Sequence, residues 1–549
     1  MAITPLPTAP SRSDPNNFTA RADAFMTALP TFANECNATA VAMTLNATNA
    51  TSTTSLLIGL GNISLTTQTG KSYVIGMTIK VASTVNPINS MLGDVTGYNT
   101  STGVLTANVS LVSGSGTIAS WTISQSVAVP GLSNYFMSST IGAAGSQGFG
   151  VGICRNLPSG FSKMTGTDDA ASANYGNYQY TDGSVMCWIP AFYYKIGTGS
   201  NGLAINIVDI KDYSYYADVA TANVAGYGLH RAFYNAGAIQ TGVFVDKYQC
   251  SNNGGIASSI KLGNPLSSAL VHNPFSGLTG LTTGDNIYAG AFKAAKTRGT
   301  KFFCNSRFIF NALSLLSLAH GQAATSTTPC AWYDATGVTN FPKGNNNNAL
   351  KDTNDATVTY ITDGYPNCGQ TGSSSNLAKT AHNGQSCGVV DLNGNLWEIN
   401  AGFISDGANY YLLKTSVDIN ALTGGNTLST DAWGATSITT NYDLLGATYG
   451  ALTASSTAKT FGAATQVFDG ATSGTAWAAT GSGIPLLTGI GGTNAMGNDV
   501  LYDYRPNDMC PLAGGPWLSG APAGVWALTL SDYRASSSYT LGFRSALYL

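Results

Sequence analysis

The stretch between Trp517 and Tyr539 concentrates side chains suited to holding a partner: Trp517, Leu518, Ser519, Trp526, Thr529, Ser531, Asp532, Tyr533, Arg534, Ser536, Ser537, Ser538 and Tyr539. Trp, Tyr and Arg give large contact area at small entropic cost and Ser gives adaptable hydrogen bonds, so these types suit recognition more than bond-making. Other chemistry reads poorly. The four histidines, His230, His272, His320 and His382, lie far apart with no ligand-type neighbour at short spacing, which argues against zinc. No GxSxG elbow occurs. Gly197 to Gly202 matches GxGxxG, but Leu203–Val208 after it reads as a strand, and a dinucleotide needs a helix N-terminus there, so the motif reads as a hairpin turn. With 27 acids in the whole chain, a carboxylate pair for glycoside cleavage stays open as an alternative. The most specific internal motif is Asp391-Leu392-Asn393-Gly394-Asn395-Leu396-Trp397-Glu398. In it Gly394 permits a tight turn, Trp397 can anchor a core, and Glu398 can accept hydrogen bonds from nearby backbone donors.

The rest of the composition bounds what those residues serve. A chain of 549 residues implies two to four domains. Charged residues are 9% of the chain, against about 25% in an average soluble protein. With a net charge of -3 and no basic cluster, a nucleic-acid partner is not expected. The uncharged run between Glu35 and Lys71 is broken throughout by Asn and Thr, and a membrane span needs about 20 mostly apolar residues, so no membrane insertion is expected. The opening Met1–Thr8 has neither a basic nor an apolar signal region, so no secretory leader is expected. Nine scattered cysteines, an odd number without a CxxC pair, read as buried free thiols.

The elements that must position the binding stretch read as a mixed, β-rich chain. Residues 1–55 form a helical oligomerisation and attachment segment. There Phe18, Ala22, Phe25, Leu29, Phe32, Cys36, Thr39, Met43 and Asn46 recur in alternating steps of four and three, the seam of a coiled coil. Ser13 or Asp14 would cap the helix, Pro15 would open it, and Pro30 should kink or split it. Residues 56–129 read as a small antiparallel β-sandwich, with alternation over Ile75–Val81 and Leu105–Leu111 and a third strand at Ile118–Ile123. Residues 130–549 form a large α+β domain. It has a strand pair at Ser184–Ile196, a strand at Val243–Gln249, and a helix through Phe308–Ala319 capped by Asn305 or Ser306 and stopped at Gly321. Residues 321–387 read as a long polar insertion with few buried positions.

Gly514-Gly515-Pro516-Trp517, Ala523-Gly524-Val525-Trp526 and Leu541-Gly542-Phe543-Arg544-Ser545-Ala546-Leu547, together with the Asp391–Glu398 motif, resemble the C-type-lectin-like fold. That fold is shared by formylglycine-generating enzymes and by phage receptor-binding proteins of the tropism-determinant family. The opening segments and the small β-domain are similar to N-terminal modules of phage tail fibres. The oxidase side of the resemblance implies a thiol two positions after the aromatic of Gly-Gly-x-aromatic and a second thiol beyond, where this chain has Ser519 and Gly524; no enzyme activity is expected. It also implies a calcium ion on oxygens of Asn393, Gly394 and Glu398, set against a structural turn without metal. The tropism-determinant side implies a virion protein of the phage tail that binds a host surface protein or glycan through Trp517–Tyr539. It further implies a homotrimer attached to other tail or baseplate proteins through its N-terminal region. The alternatives are a polysaccharide-degrading tailspike and a purely structural fibre or baseplate protein.

Overall fold

The computed structural model describes residues 3–549 except 60, 88, 115, 127–139, 336–340, 426–437, 446–456, 462–464, 492–495, 498 and 507. Two compact units result, Met1–Phe136 and Met137–Leu549. Among the described residues no helix is long and apolar enough to cross a membrane.

In the first unit one helix runs Phe18–Asn46 and is not split at Pro30. A proline removes a single backbone donor, and the helical turns on either side of it carry the helix past that gap. The helix begins three residues later than the capping signal suggests. Asp14 accepts from Asn17 Nδ2 at 3.0 Å and pairs with Arg21 at 3.0 Å, so Pro15 lies in a preceding turn. Of the seam, Ala22, Phe25, Leu29, Phe32 and Cys36 are all half-buried and Phe18 is exposed; the side chains of Thr39, Met43 and Asn46 lie outside the described residues.

Six strands of this unit form one antiparallel sheet in the order Ala50–Ser52, Trp121–Gln125, Thr78–Ser83, Ser90–Tyr98, Val104–Ser113, Gly61–Thr66. Where the sequence suggested a sandwich of three strands, the strands hydrogen-bond as a single sheet, beside one short pair, Leu56–Leu57 with Thr117–Ile118. Ile79, Val81, Leu105, Ala107, Val109, Trp121 and Ile123 meet in its core, as the alternation implies. Ile75 lies outside the strand and is exposed, because Gly76 turns the chain at φ 85°.

The second unit is built on two six-stranded sheets. One runs Phe303–Cys304, Ser545–Leu547, Gly242–Asp246, Val185–Pro190, Asn177–Tyr180, Phe161–Lys163. The other runs Thr457–Thr460, Val500–Asp503, Leu528–Tyr533, Met509–Ala513, Trp397–Ile399, Leu541–Gly542. The expected pair within Ser184–Ile196 does not form. Val185–Pro190 pairs with Gly242–Asp246, while Phe192–Ile196 pairs with Val208–Asp212 in a separate three-stranded sheet. The GxGxxG stretch lies in that second hairpin's connection, as a turn, but the strand after it starts only at Val208.

Helix Arg307–Ala323 is capped by Ser306, whose hydroxyl accepts from Ile309 N at 3.2 Å, and it continues past Gly321. Every residue from Arg307 to His320 is buried. Its polar side chains reach loop carbonyls: Arg307 Nε to Ser482 O at 2.8 Å, Asn311 Nδ2 to Thr480 O at 2.9 Å, Ser314 Oγ to Val525 O at 2.7 Å. Through Ser314 this helix is tied directly to the C-terminal stretch at Val525. All nine cysteines are unpaired, and eight are buried.

The 321–387 segment is not a surface decoration. Trp332, Phe341, Asn345, Asn346, Val358, Tyr360, Cys368, Thr371, Ala381, His382 and Asn383 are all buried. Asn side chains occupy core positions here because each finds partners: Asn345 Nδ2 donates to Asn367 O and to Asn395 Oδ1, and Asn383 Nδ2 donates to Phe149 O.

Candidate recognition face

The C-terminal stretch starts at Gly514 and Gly515, at φ 91° and 85°, where a Cβ on Gly515 would stand 2.6 Å from Ala523 Cβ. The chain then seats Trp517 in the fold. Its N–H donates to Asn395 O at 2.8 Å and its carbonyl accepts from Asn348 N at 2.8 Å. Gly524 packs against Asp499 so closely that a Cβ would lie 2.0 Å from a carboxylate oxygen, and the other oxygen accepts from Trp526 N at 2.7 Å.

Four of the thirteen binding candidates are buried, which corrects the expectation for them. Trp526 lies against Phe468 and Phe461, with ring centroids 5.2 and 6.3 Å away. Thr529 sits in a strand paired on both sides and is 3% exposed. Trp517 is 5% exposed. Arg534 turns inward after the strand, its guanidinium 4.7 Å from the Tyr288 ring centroid and donating to Gly425 O at 3.2 Å. Ser519, Ser531, Asp532, Ser536, Ser538 and Tyr539 are half-buried, and Leu518, Tyr533 and Ser537 are exposed.

What remains outward is joined to loops the sequence did not single out. Tyr539 stacks on Trp517 at 6.2 Å, Tyr365 meets Tyr539 at 4.9 Å, and His272 stacks on Tyr365 at 4.5 Å. The four rings make one row, from a buried base at Trp517 to half-exposed members beyond it. Ser268 binds the same stretch: its Oγ donates to Ser538 O at 3.1 Å and accepts from Ser538 N at 2.9 Å, and Ser537 Oγ donates to Ser268 O. Leu270 and Val271, next to His272, are exposed, as is Ile361. The overlooked signal is the turn Asp363-Gly364-Tyr365-Pro366, where one aromatic stands among turn residues.

The side-chain oxygens of Glu398 and Asn393 in the Asp391–Glu398 turn have protein partners. Both Glu398 oxygens face Arg544, at 2.6 Å from Nε and 2.5 Å from NH2, and one also accepts from Gln249 Nε2 at 3.2 Å. Asn393 Oδ1 accepts from Asn346 Nδ2 at 2.9 Å, and Asn393 Nδ2 donates to Pro342 O at 2.6 Å. Gly394 takes φ 81° with Asn345 O packed where its Cβ would be. The carboxylate is thus paired with a guanidinium and clasps the turn to the C-terminal segment. Its partners are side chains, not the backbone donors that the sequence suggested for Glu398, while Trp397 is buried as expected.

Three ligand-type side chains do converge elsewhere: His272, Asp363 and Cys368. They lie at the far end of the ring row.

No protein-family model matches the chain, and no curated protein matches it. Among solved structures it is similar to variants of the major tropism determinant. For the U1 and P3c variants the identity is 12% and the TM-score 0.25, over 66% of this chain and 63% of theirs. For the M1 variant the identity is 11% and the TM-score 0.26, over 89% of this chain and 83% of that one. The chain thus spans slightly less than two thirds of the length of the first two.

Proposed function

We propose that the chain is a bacteriophage tail-tip receptor-binding protein that adsorbs to a host surface protein or glycan and performs no covalent chemistry. The observation that carries this reading is the ring row Trp517–Tyr539–Tyr365–His272, anchored in the core at Trp517 and half-exposed beyond it, on a stretch that also exposes Leu518 and Tyr533. Rigid aromatic side chains held by a packed scaffold lose little entropy on binding. The C-terminal motifs that resemble the lectin-like fold lie in the two sheets and turns that hold this row. The thiol positions of the related oxidases are Ser519 and Gly524 here, and Cys510 is buried with its thiol pushed well above the ordinary range by burial, so no thiolate is at hand.

The proposal extends to assembly. Three copies would join along the half-buried Phe25–Leu29–Phe32 seam, with the N-terminal region attached to other tail or baseplate proteins of the virion. Linked sites raise avidity by roughly 10²–10⁴ over one contact. Light scattering of a Phe25→Asp, Leu29→Asp double variant should report monomers; an unchanged trimer would remove the seam from the assembly.

The central test pairs Leu518→Ala with Tyr533→Ala on virions carrying the chain. Truncation at the centre of a binding face costs about 2 kcal/mol or more, roughly thirtyfold in one-site affinity. Adsorption should drop at least that far with the melting temperature held. Adsorption at the wild-type rate would move recognition to the polar pocket of about 300 Å³ lined by Trp332, Tyr333, Lys343, Asp355 and Lys379, whose mixed aromatic and charged lining suits a glycan.

A further inference from the structure

The segment from Asp363 to Cys368 closes on itself. Asp363 N donates to Cys368 O at 3.0 Å and Cys368 N to Tyr365 O at 2.8 Å. Tyr365 N donates to Asp363 Oδ1 at 2.9 Å, which fixes the carboxylate and leaves Oδ2 facing His272 Nε2 at 2.6 Å. The imidazole, carboxylate and thiol ligand atoms lie within 4.8 Å of one another. Asp363 and Cys368 are buried, and the His272 side chain is 11% exposed. In sequence His272 and Asp363 are 91 positions apart, which hides the cluster from any spacing rule.

We propose that His272 Nε2, Asp363 Oδ2 and Cys368 Sγ bind one zinc ion, with water as the fourth ligand. A thiolate with an imidazole selects zinc over calcium or magnesium, which take oxygen ligands. Tetrahedral zinc at about 2.0–2.1 Å from nitrogen and oxygen sets those two atoms roughly 3.3 Å apart. The imidazole and the carboxylate, now 2.6 Å apart, must therefore part by roughly 0.7 Å. Two anionic ligands balance the ion's charge, so the buried centre is neutral. On binding, the Cys368 S–H bond breaks, an S–Zn bond forms, and the proton leaves to solvent. The hydrogen shared by His272 Nε2 and Asp363 Oδ2 in the metal-free chain must also leave that line, and the neutral imidazole regains one on Nδ1 from solvent, so one proton is released in all and no electron is transferred. The ion has to displace the thiol proton, so affinity rises with pH. The ion would tie the His272 loop to the Asp363–Cys368 loop at the end of the ring row. This site stands apart from the adsorption reading, because its readout is the metal itself.

The test titrates the full-length, metal-free chain with Co²⁺ as a spectroscopic stand-in and then with Zn²⁺ in competition. One Co²⁺ per chain should bind with a thiolate-to-cobalt charge-transfer band, and Zn²⁺ should displace it. The band should vanish in Cys368→Ser. Affinity should fall more than about tenfold in Asp363→Asn and in His272→Gln. His272→Gln, at the partly exposed end, keeps the test valid if Cys368→Ser does not fold. Absence of stoichiometric binding, a band surviving in Cys368→Ser, or wild-type affinity in His272→Gln would each overturn the site.

Discussion

Arg544 and Glu398 face each other in a two-point ion pair, Nε to Oε2 at 2.6 Å and NH2 to Oε1 at 2.5 Å, with both side chains sealed from water. The remaining guanidinium donors reach Asp246 O and Val390 O, each at 3.0 Å. Two sequence motifs that are 146 positions apart are thereby locked into one object.

That lock yields the first prediction. Glu398→Gln keeps the shape but leaves the guanidinium buried without its counter-charge, and breaking such a pair costs about 3–5 kcal/mol. Urea unfolding should show that loss. The exposed pair Lys163–Asp168 is the control, since Lys163→Ala should shift stability by less than about 1 kcal/mol. Equal effects at both sites would show that burial does not set the strength of the Arg544 pair.

The neighbours Tyr533 and Arg534 should behave oppositely. Tyr533 is 48% exposed and Arg534 is fully buried over Tyr288. Tyr533→Ala should therefore change stability by no more than about 0.5 kcal/mol, whereas Arg534→Ala should cost more than about 2 kcal/mol. Calorimetry on the two single variants decides it, and a silent Arg534→Ala would mean that this arginine is in water.

Three of the four imidazoles accept a backbone N–H at Nδ1: His230 from Ala232, His320 from Gly145, His382 from Val389, at 3.0–3.1 Å. Protonation there would break that bond, and burial opposes the charge further. Burial brings His230 down to about 3, and His320 and His382 down to about 4. The sign follows from linkage. With folded values below the unfolded 6.5, each group's contribution is intact above pH 6.5. It is withdrawn as pH falls below 6.5 toward about 4 for His320 and His382 and about 3 for His230, by up to about 1.4 kcal/mol per pH unit for each group. Long-range nitrogen–proton NMR should find these three rings neutral, with hydrogen on Nε2, at pH 5. A ring among them that titrates near 6.5 would contradict the burial.

Periodic elements were legible before the structure. Phe308, Leu315 and Ala319 at helical steps behind Ser306 mark a helix, and Ile79 and Val81 alternating with Thr78 and Lys80 mark a strand, because one-sided burial leaves a period. Asn345, Asn346, Asn383, Asn393 and Asn395 left no such trace. Composition reads them as loop, yet they fill a core by pairing amides with carbonyls that lie far off in sequence. Helix Tyr288–Lys296 also escaped notice: its buried Ala289, Ala291, Ala294 and Ala295 are too small to stand out as an apolar stripe. At the candidate site, residue type located the stretch Trp517–Tyr539 but not its orientation. Nothing in the letters distinguishes an outward Tyr533 from an inward Arg534, and the partners Tyr365 and His272 arrive only through long-range folding.

The segment Leu541–Leu547 enters both large sheets. Leu541–Gly542 runs parallel to Trp397–Glu398, and Ser545–Leu547 fits between Gly242–Asp246 and Phe303–Cys304. Until those few residues leave the ribosome, the Gly242–Asp246 strand has one open edge and Arg544 has not reached Glu398. The unit is closed by contacts that span some three hundred positions, such as Phe244 with Leu547. Such long-range closure is slow and leaves unpaired strand edges exposed meanwhile. Without Ser545–Leu547 the Gly242–Asp246 strand keeps one unpaired edge, the kind of edge to which another chain can add a strand.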